Sequence, residues 1–199
     1  PSEGGTATGF VVLGMGKLGG RELNFSSDID LQYLHVSDEE ETAAGFSREG
    51  PNRITREAFF VRLAELITRA MGEITEEGFV FRTDLRLRPH GKSGKITNSL
   101  RGAELYYESW GDTWERAALI KARPMAGEIE LGNEFLRRVE PFVYRRYLDF
   151  TAIEAIQGLK ARLERERAST RRPFNLKYMP GGIREIEFFL QALQLIYGG

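Results

Sequence analysis

The apolar run Phe10-Val11-Val12-Leu13, closed on both sides by glycine, is the pattern of a short buried strand. From Asp28 to Val36 polar and apolar residues alternate, which predicts a second strand with Asp28 and Asp30 on one face and Ile29 and Leu31 on the other. Residues 37–55 are acidic and polar and predict a loop. Between Thr55 and Met71, Phe59, Leu63, Leu66, Ile67 and Ala70 recur at helical spacing, with Thr55 placed to cap the helix. Alternation returns over Gly78–Arg88, with Phe79, Phe81, Thr83, Leu85 and Leu87 on one side and Val80, Arg82, Asp84, Arg86 and Arg88 on the other. This predicts a third strand, and Pro89–Gly94 predicts a turn. Past Ser99 the period lengthens, and Leu100–Trp110, Asp112–Ala122, Glu128–Tyr147, Thr151–Arg167 and Ile183–Tyr197 are expected to be helices. The fold class that follows is α+β, with a head over residues 1–127 and a helical region over 128–199.

Gly20 and Asp28 lie only eight positions apart, too short a span for the helical crossover that parallel strands require. The first two strands are therefore expected to be antiparallel neighbours. The same shortness argues against a dinucleotide-binding site at Gly14-Met15-Gly16-Lys17-Leu18-Gly19, although its glycine spacing matches that fingerprint. Leu18 after Lys17 excludes a Walker loop. What remains is a glycine-lined turn able to approach a phosphate closely.

Composition narrows the chemistry more than it directs it. The net charge of −1 over 199 residues offers no bulk case for nucleic-acid binding. The absence of cysteine excludes disulfides, thiolate metal sites and thiol catalysis within the chain. Two histidines, His35 and His90, cannot make a histidine-rich metal site. No apolar run approaches membrane-spanning length and no signal peptide opens the sequence, so the cytoplasm is the expected location. Both ends suggest a piece of a longer polypeptide, since small polar residues lead abruptly into a strand and an apolar helix meets Gly198-Gly199.

The acids carry the chemistry. Two carboxylates about 6–7 Å apart along one strand face repel unless a cation lies between them. Hard oxygen donors favour Mg²⁺, which is held by a few carboxylates together with substrate phosphates. Asp84 supplies a third carboxylate, and Arg82, Arg86 and Arg88 on its face suit phosphate oxygens. Ser26 and Ser27 precede the acids, as Gly19 and Gly20 precede the serines. This order of small residues and then paired acids is similar to that of the polymerase-β-like nucleotidyltransferases. Pro180-Gly181-Gly182 before the last helix offers an anion site at its N-terminus, with Arg184 and Glu187 on one face. His90 and the aromatics Tyr106, Tyr107, Trp110 and Trp114 are expected to serve the turn and helix packing rather than chemistry. Arg145 and Arg146 lie among apolar residues and could reach the site.

Longer motifs extend the resemblance. Val12–Asn24, Ser27-Asp28-Ile29-Asp30-Leu31, Asp84-Leu85-Arg86-Leu87-Arg88-Pro89, and Trp114-Glu115-Arg116 through Lys121-Ala122-Arg123-Pro124 resemble the bacterial glutamine synthetase adenylyltransferase/adenylyl-removing enzymes. That family joins two similar nucleotidyltransferase halves. Phe142–Phe150 and Gly181–Phe188 resemble its N-terminal, deadenylylating half. The resemblance implies phosphorolysis of AMP-tyrosine on glutamine synthetase, giving ADP and the unmodified synthetase in the regulation of nitrogen assimilation. It implies Mg²⁺ held by Asp28, Asp30 and Asp84, and phosphate contacts from Gly19, Gly20, Ser26, Ser27, Arg86 and Arg88. Lys121, Arg123, Arg184, Glu185 and Glu187 are candidates for further phosphate contacts or for supporting that set. Adenylylated glutamine synthetase, the PII signal protein, phosphate, ADP and ATP are the implied partners, with neither nucleic acid nor membrane among them.

Overall fold

The computed structural model describes residues 9–36, 55–144, 176–177, 179 and 181–198. The expected loop over 37–54, the expected helix over 151–167 and Arg145 and Arg146 lie outside the described residues. Contacts divide the chain into two compact units, one drawn from Pro1–Ser109 and Lys121–Arg138, the other from Trp110–Ile120 and Val139–Gly199.

The first unit is built on a mixed, mostly antiparallel sheet. β1 (Phe10–Gly14) pairs antiparallel with β2 (Ile29–His35), as expected, with Phe10 opposite His35 and Gly14 opposite Leu31. On its other edge β1 pairs antiparallel with β5 (Arg123–Gly127), through a register shift between Val12 and Leu13. β5 escapes the sequence reading because Arg-Pro-Met-Ala-Gly neither alternates nor carries a run of β-formers. An edge position tolerates its proline, which cannot donate to a ladder. Two short strands share the free edge of β2, both parallel to it. β3 (Thr83–Asp84) lies beside Ile29 and Asp30, and β4 (Thr97–Ser99) beside Tyr33, Leu34 and His35.

The sheet is covered on both faces. Phe10, Val12, Ile29, Leu31 and Tyr33 pack against Phe60 and Ala64 of α2 (Arg56–Gly72). There the rings of Phe10 and Phe60 stack at 5.4 Å, and the Tyr33 hydroxyl lies 3.0 Å from Thr68 Oγ1. Burial raises the Tyr33 pKa, and the Thr68 contact only partly offsets this. Thr55 does cap α2, accepting from the Ala58 N–H at 3.1 Å. The buried stripe, however, is turned by one residue from the one predicted. Phe60 and Ala64 form its centre, Phe59, Leu63 and Ile67 flank it, and Leu66 is exposed. On the opposite face, α3 (Leu100–Trp110) and the start of α5 (Ile129–Val143) meet the sheet. Tyr107 donates to Gln32 Oε1 at 3.3 Å and packs on Phe135 with ring centroids 6.2 Å apart.

The predicted strand over Gly78–Arg88 is corrected most. Only Thr83 and Asp84 are strand; Phe79, Val80 and Phe81 are exposed, and Leu85 begins a turn. Among the described residues β3 pairs along one edge only, and with Phe79, Val80 and Phe81 exposed no buried face enforces the alternation.

In the second unit, α4 (Thr113–Leu119) is shorter than predicted and starts with a capping box. The Asp112 N–H donates to Glu115 Oε2 at 2.8 Å. Arg116 is buried and its Nε donates to the Val143 carbonyl at 3.0 Å, tying α4 to the end of α5. The last helix, α6 (Ile183–Tyr197), has the predicted bounds.

Candidate active site

The parallel register of β2 and β3 sets the site. Asp30 and Asp84 are direct partners, as are Ile29 and Thr83. The next pair outward brings Asp28 opposite Arg82, and their side chains meet at 2.6 Å. The Ile29 N–H donates to the Arg82 carbonyl at 2.9 Å and fixes this outer register. Ile29 and Leu31 anchor the strand in the core, so the alternating aspartates must face the other way. Two carboxylates side by side on neighbouring strands repel. Arg86 answers that repulsion: its backbone N–H reaches Asp84 Oδ1 at 2.8 Å, and its Nε lies 3.0 Å from Oδ1 and 2.7 Å from Oδ2.

The electrostatics follow. Arg86 hydrogen bonding is the largest cause holding the Asp84 pKa below the ordinary carboxylate range; partial burial opposes it, and the charges of Arg86 and Lys92 assist. The Arg86 pKa is raised, first by its hydrogen bond to Asp84, then by the charge of Asp84, and further by Asp30 and Asp28. One cationic group therefore feels all three predicted acids.

The glycine turn lies against the same acids. The Met15 N–H donates to the Asp30 carbonyl at 2.9 Å, and Gly16 follows at the start of α1 (Gly16–Gly19). Gly16 has φ +52°, and a Cβ built on it would stand 2.6 Å from Asp30 Oδ2. Glycine is needed there both for the left-handed backbone and for the approach of the carboxylate. Sequence reading recognised Gly16 only as part of a spacing; its contact with Asp30 needed the tertiary fold. Arg82 was likewise seen as a cation on the Asp84 face but not as the partner of Asp28.

Other predicted residues have different work. Gly19 is buried, and a Cβ there would collide with the Lys121 and Gly14 carbonyl oxygens, so close backbone packing accounts for this glycine. Gly20 is exposed. Arg123 donates from Nε to the Gly19 carbonyl at 3.1 Å, and Lys121 pairs with Glu22; both brace the glycine turn. Ser26 has φ +55° at a bend, and its carbonyl accepts from Arg82. Ser27 is half-buried, with its N–H on the Asn24 carbonyl at 3.2 Å. Arg88 spends its guanidinium on carbonyls, reaching Leu85 at 2.7 Å, Lys95 at 2.9 Å and Gly94 at 3.0 Å. It stitches the turn after β3. His90 packs edge-on against Tyr106 with centroids 4.4 Å apart, a packing role.

The anion site expected before α6 is corrected. The Ile183 N–H donates to the Leu176 carbonyl at 3.1 Å, the Arg184 N–H to Lys177 at 3.2 Å, and the Gly181 N–H to Glu185 Oε2 at 3.0 Å. The donors an anion would need are occupied within the chain. Arg184 lies over the Phe188 ring at 5.6 Å. Arg184, Glu185 and Glu187 belong to the second unit, as the acids and Arg86 belong to the first.

Among the described residues, no three His, Cys, Asp or Glu side chains gather closely enough to form a ready metal cage. Arginines hold Asp28 and Asp84 instead. The chemistry of the donors suits a hard divalent cation, with Asp30 and Asp84 as register partners, while Asp28 is engaged by Arg82.

A mixed sheet flanked by helices, with acids and arginines on one strand edge beside a glycine turn, defines a nucleotidyltransferase head. The comparisons agree and go further. Residues 1–138 match the glutamate-ammonia ligase adenylyltransferase family model, and residues 154–199 match that of GlnD PII-uridylyltransferase. The chain is 46% identical over 198 residues to the bifunctional glutamine synthetase adenylyltransferase/adenylyl-removing enzyme of Xanthomonas campestris, covering 100% of this chain and 20% of that protein. To the enzyme of the same description from Nitrosococcus oceani it is 47% identical over 198 residues, again 100% of this chain and 20% of the relative. To that of Thioalkalivibrio sulfidiphilus it is 50% identical over 189 residues, 95% of this chain and 19% of the relative. The chain belongs to the glutamate-ammonia ligase adenylyltransferase family and spans about 20% of the length of these relatives. Among the described residues no helix is long and apolar enough to cross a membrane.

Proposed function

We propose that this chain carries the adenylyl-removing chemistry of its family: phosphorolysis of AMP-tyrosine on glutamine synthetase. Orthophosphate attacks the α-phosphorus, the bond to the tyrosine oxygen breaks, and ADP and unmodified synthetase result. Residues 1–127 form the catalytic domain in this reading and 128–199 a helical region, in a cytoplasmic protein whose full length also answers to PII. The observation that supports the reading is the pairing of Asp30 with Asp84 beside Arg86, two carboxylates and a guanidinium on one strand edge.

Asp28, Asp30 and Asp84 would hold Mg²⁺, which when bound supplies charge to stabilise the attacking and leaving oxygens of an in-line displacement. Arg86 lowers the repulsion between phosphate and the AMP anion. Gly16 keeps the glycine turn close to the Asp30 carboxylate. Phosphate is already ionised near neutral pH, so the attack needs no strong base, in keeping with a His90 that packs on an aromatic ring.

The test offers the chain adenylylated synthetase with orthophosphate, or unmodified synthetase with ATP, each with Mg²⁺. ADP should form in the first, and Asp28→Asn with Asp30→Asn should abolish it. AMP incorporation from ATP with no ADP in the first assay would assign the opposite, adenylylating activity. Nucleotide binding without turnover, unaffected by the double substitution, would make the chain a sensing module.

A further inference from the structure

The site contains a cation of its own. The Arg86 side chain and backbone together engage both oxygens of Asp84, which a metal ion would also have to use. The two partners differ in freedom: the Arg86 side chain is 64% exposed and that of Asp84 15%. The arginine can therefore turn into solvent, while the half-sheltered carboxylate stays with the sheet. Removing the guanidinium need not unmake the local fold, because the Arg86 backbone N–H still holds Asp84 and the following turn is fastened by Arg88.

We propose that Arg86 is an exchangeable counter-cation: a divalent cation arriving among Asp28, Asp30 and Asp84 takes the Asp84 oxygens from the Arg86 side chain, and the released guanidinium turns to the phosphate that the same site binds. This rests on the reading of the site as one for a cation and a phosphate. The exchange keeps the like-charged Asp30–Asp84 pair neutralised in both states. It also frees for an incoming phosphate the Nε and Nη2 hydrogens that Asp84 otherwise engages. Arg86 is thus a positioning residue whose loss must act on the two ligands with opposite sign. An arginine that only supported the turn would weaken both or neither.

Binding of Mn²⁺ alone to the 199-residue chain, followed by the electron paramagnetic resonance of the free ion at low ionic strength, tests the exchange. Binding of inorganic phosphate is measured separately by calorimetry with Mg²⁺ present. Arg86→Gln should tighten Mn²⁺ about fivefold, the scale of losing an exposed ion pair. It should weaken phosphate roughly tenfold, the scale of a charge-assisted hydrogen bond. Arg86→Lys should fall between wild type and Arg86→Gln for both ligands and carries the same signs should the glutamine variant fail to fold. Mn²⁺ affinity lost in Asp84→Asn yet equal or weaker in Arg86→Gln overturns the exchange alone. Absence of Mn²⁺ binding to the wild-type chain overturns the metal site and the exchange together.

Discussion

The two ends of β2 receive the same kind of partner and make opposite use of it. At the C-terminal end β4 lies parallel to Tyr33–His35, and Thr97 and His35 meet there in a buried contact with no carboxylate in it. The Thr97 hydroxyl donates its one proton to the Tyr33 carbonyl at 3.2 Å and so accepts from His35 Nδ1 at 3.1 Å. At the N-terminal end β3 lies parallel to Ile29–Asp30, and acid faces acid with arginines on the solvent side. A satisfied neutral contact stabilises a fold; juxtaposed like charges cost free energy and are kept where a cation or anion is to be handled. On the proposed reading, one strand serves as structure at one end and as chemistry at the other.

The largest effect expected on this contrast comes from Gly16→Ala at the charged end. A side chain at φ +52° meets Asp30 Oδ2, so the carboxylate must move, and turnover in the phosphorolysis assay should fall about 100-fold. Unchanged turnover with an unchanged melting temperature would sever the glycine turn from the site. Next comes Thr97→Val at the neutral end. It strands buried His35 Nδ1 and should cost roughly 2 kcal/mol in urea denaturation, with turnover per folded molecule intact. A loss of turnover there without destabilisation would mean that both ends serve chemistry.

The smallest effect is in acid. The folded-state pKa of Asp84 is depressed, chiefly by its Arg86 hydrogen bond. Its contribution to stability is therefore present above the unfolded value of about 3.9 and is lost as pH falls through the folded value. Asp84→Asn should flatten the pH dependence of stability in that window, most visibly below about pH 4. An acid limb identical to wild type would show that the Asp84–Arg86 pair contributes nothing when exposed to water.

Much of this molecule was written in its local pattern. The Phe10–Leu13 run, the alternation around Asp28 and Asp30, the Thr55 cap and the bounds of α3 and α6 follow from periodicity and capping, which are short-range properties. The antiparallel pairing of β1 and β2 agrees with the expectation, but their connection runs over residues 15–28, long enough that chain length alone did not decide it. Patterns failed where no buried face enforced them. The run over Gly78–Arg88 alternates in sequence but yields only Thr83–Asp84 as strand, and β5 pairs with no alternating signal at all.

The sequence alone determined which residue types the proposed chemistry draws on: three aspartates, a glycine turn and a group of arginines. Which of them face one another was decided only in three dimensions. Parallel pairing set Asp30 beside Asp84 and Asp28 beside Arg82, drew Gly16 under Asp30, and separated the arginines into Arg86 on an acid and Arg88 on backbone carbonyls. The physical reason is range. Alternation and capping act over a few residues, whereas the register between segments more than fifty residues apart is set by the core on which both are laid.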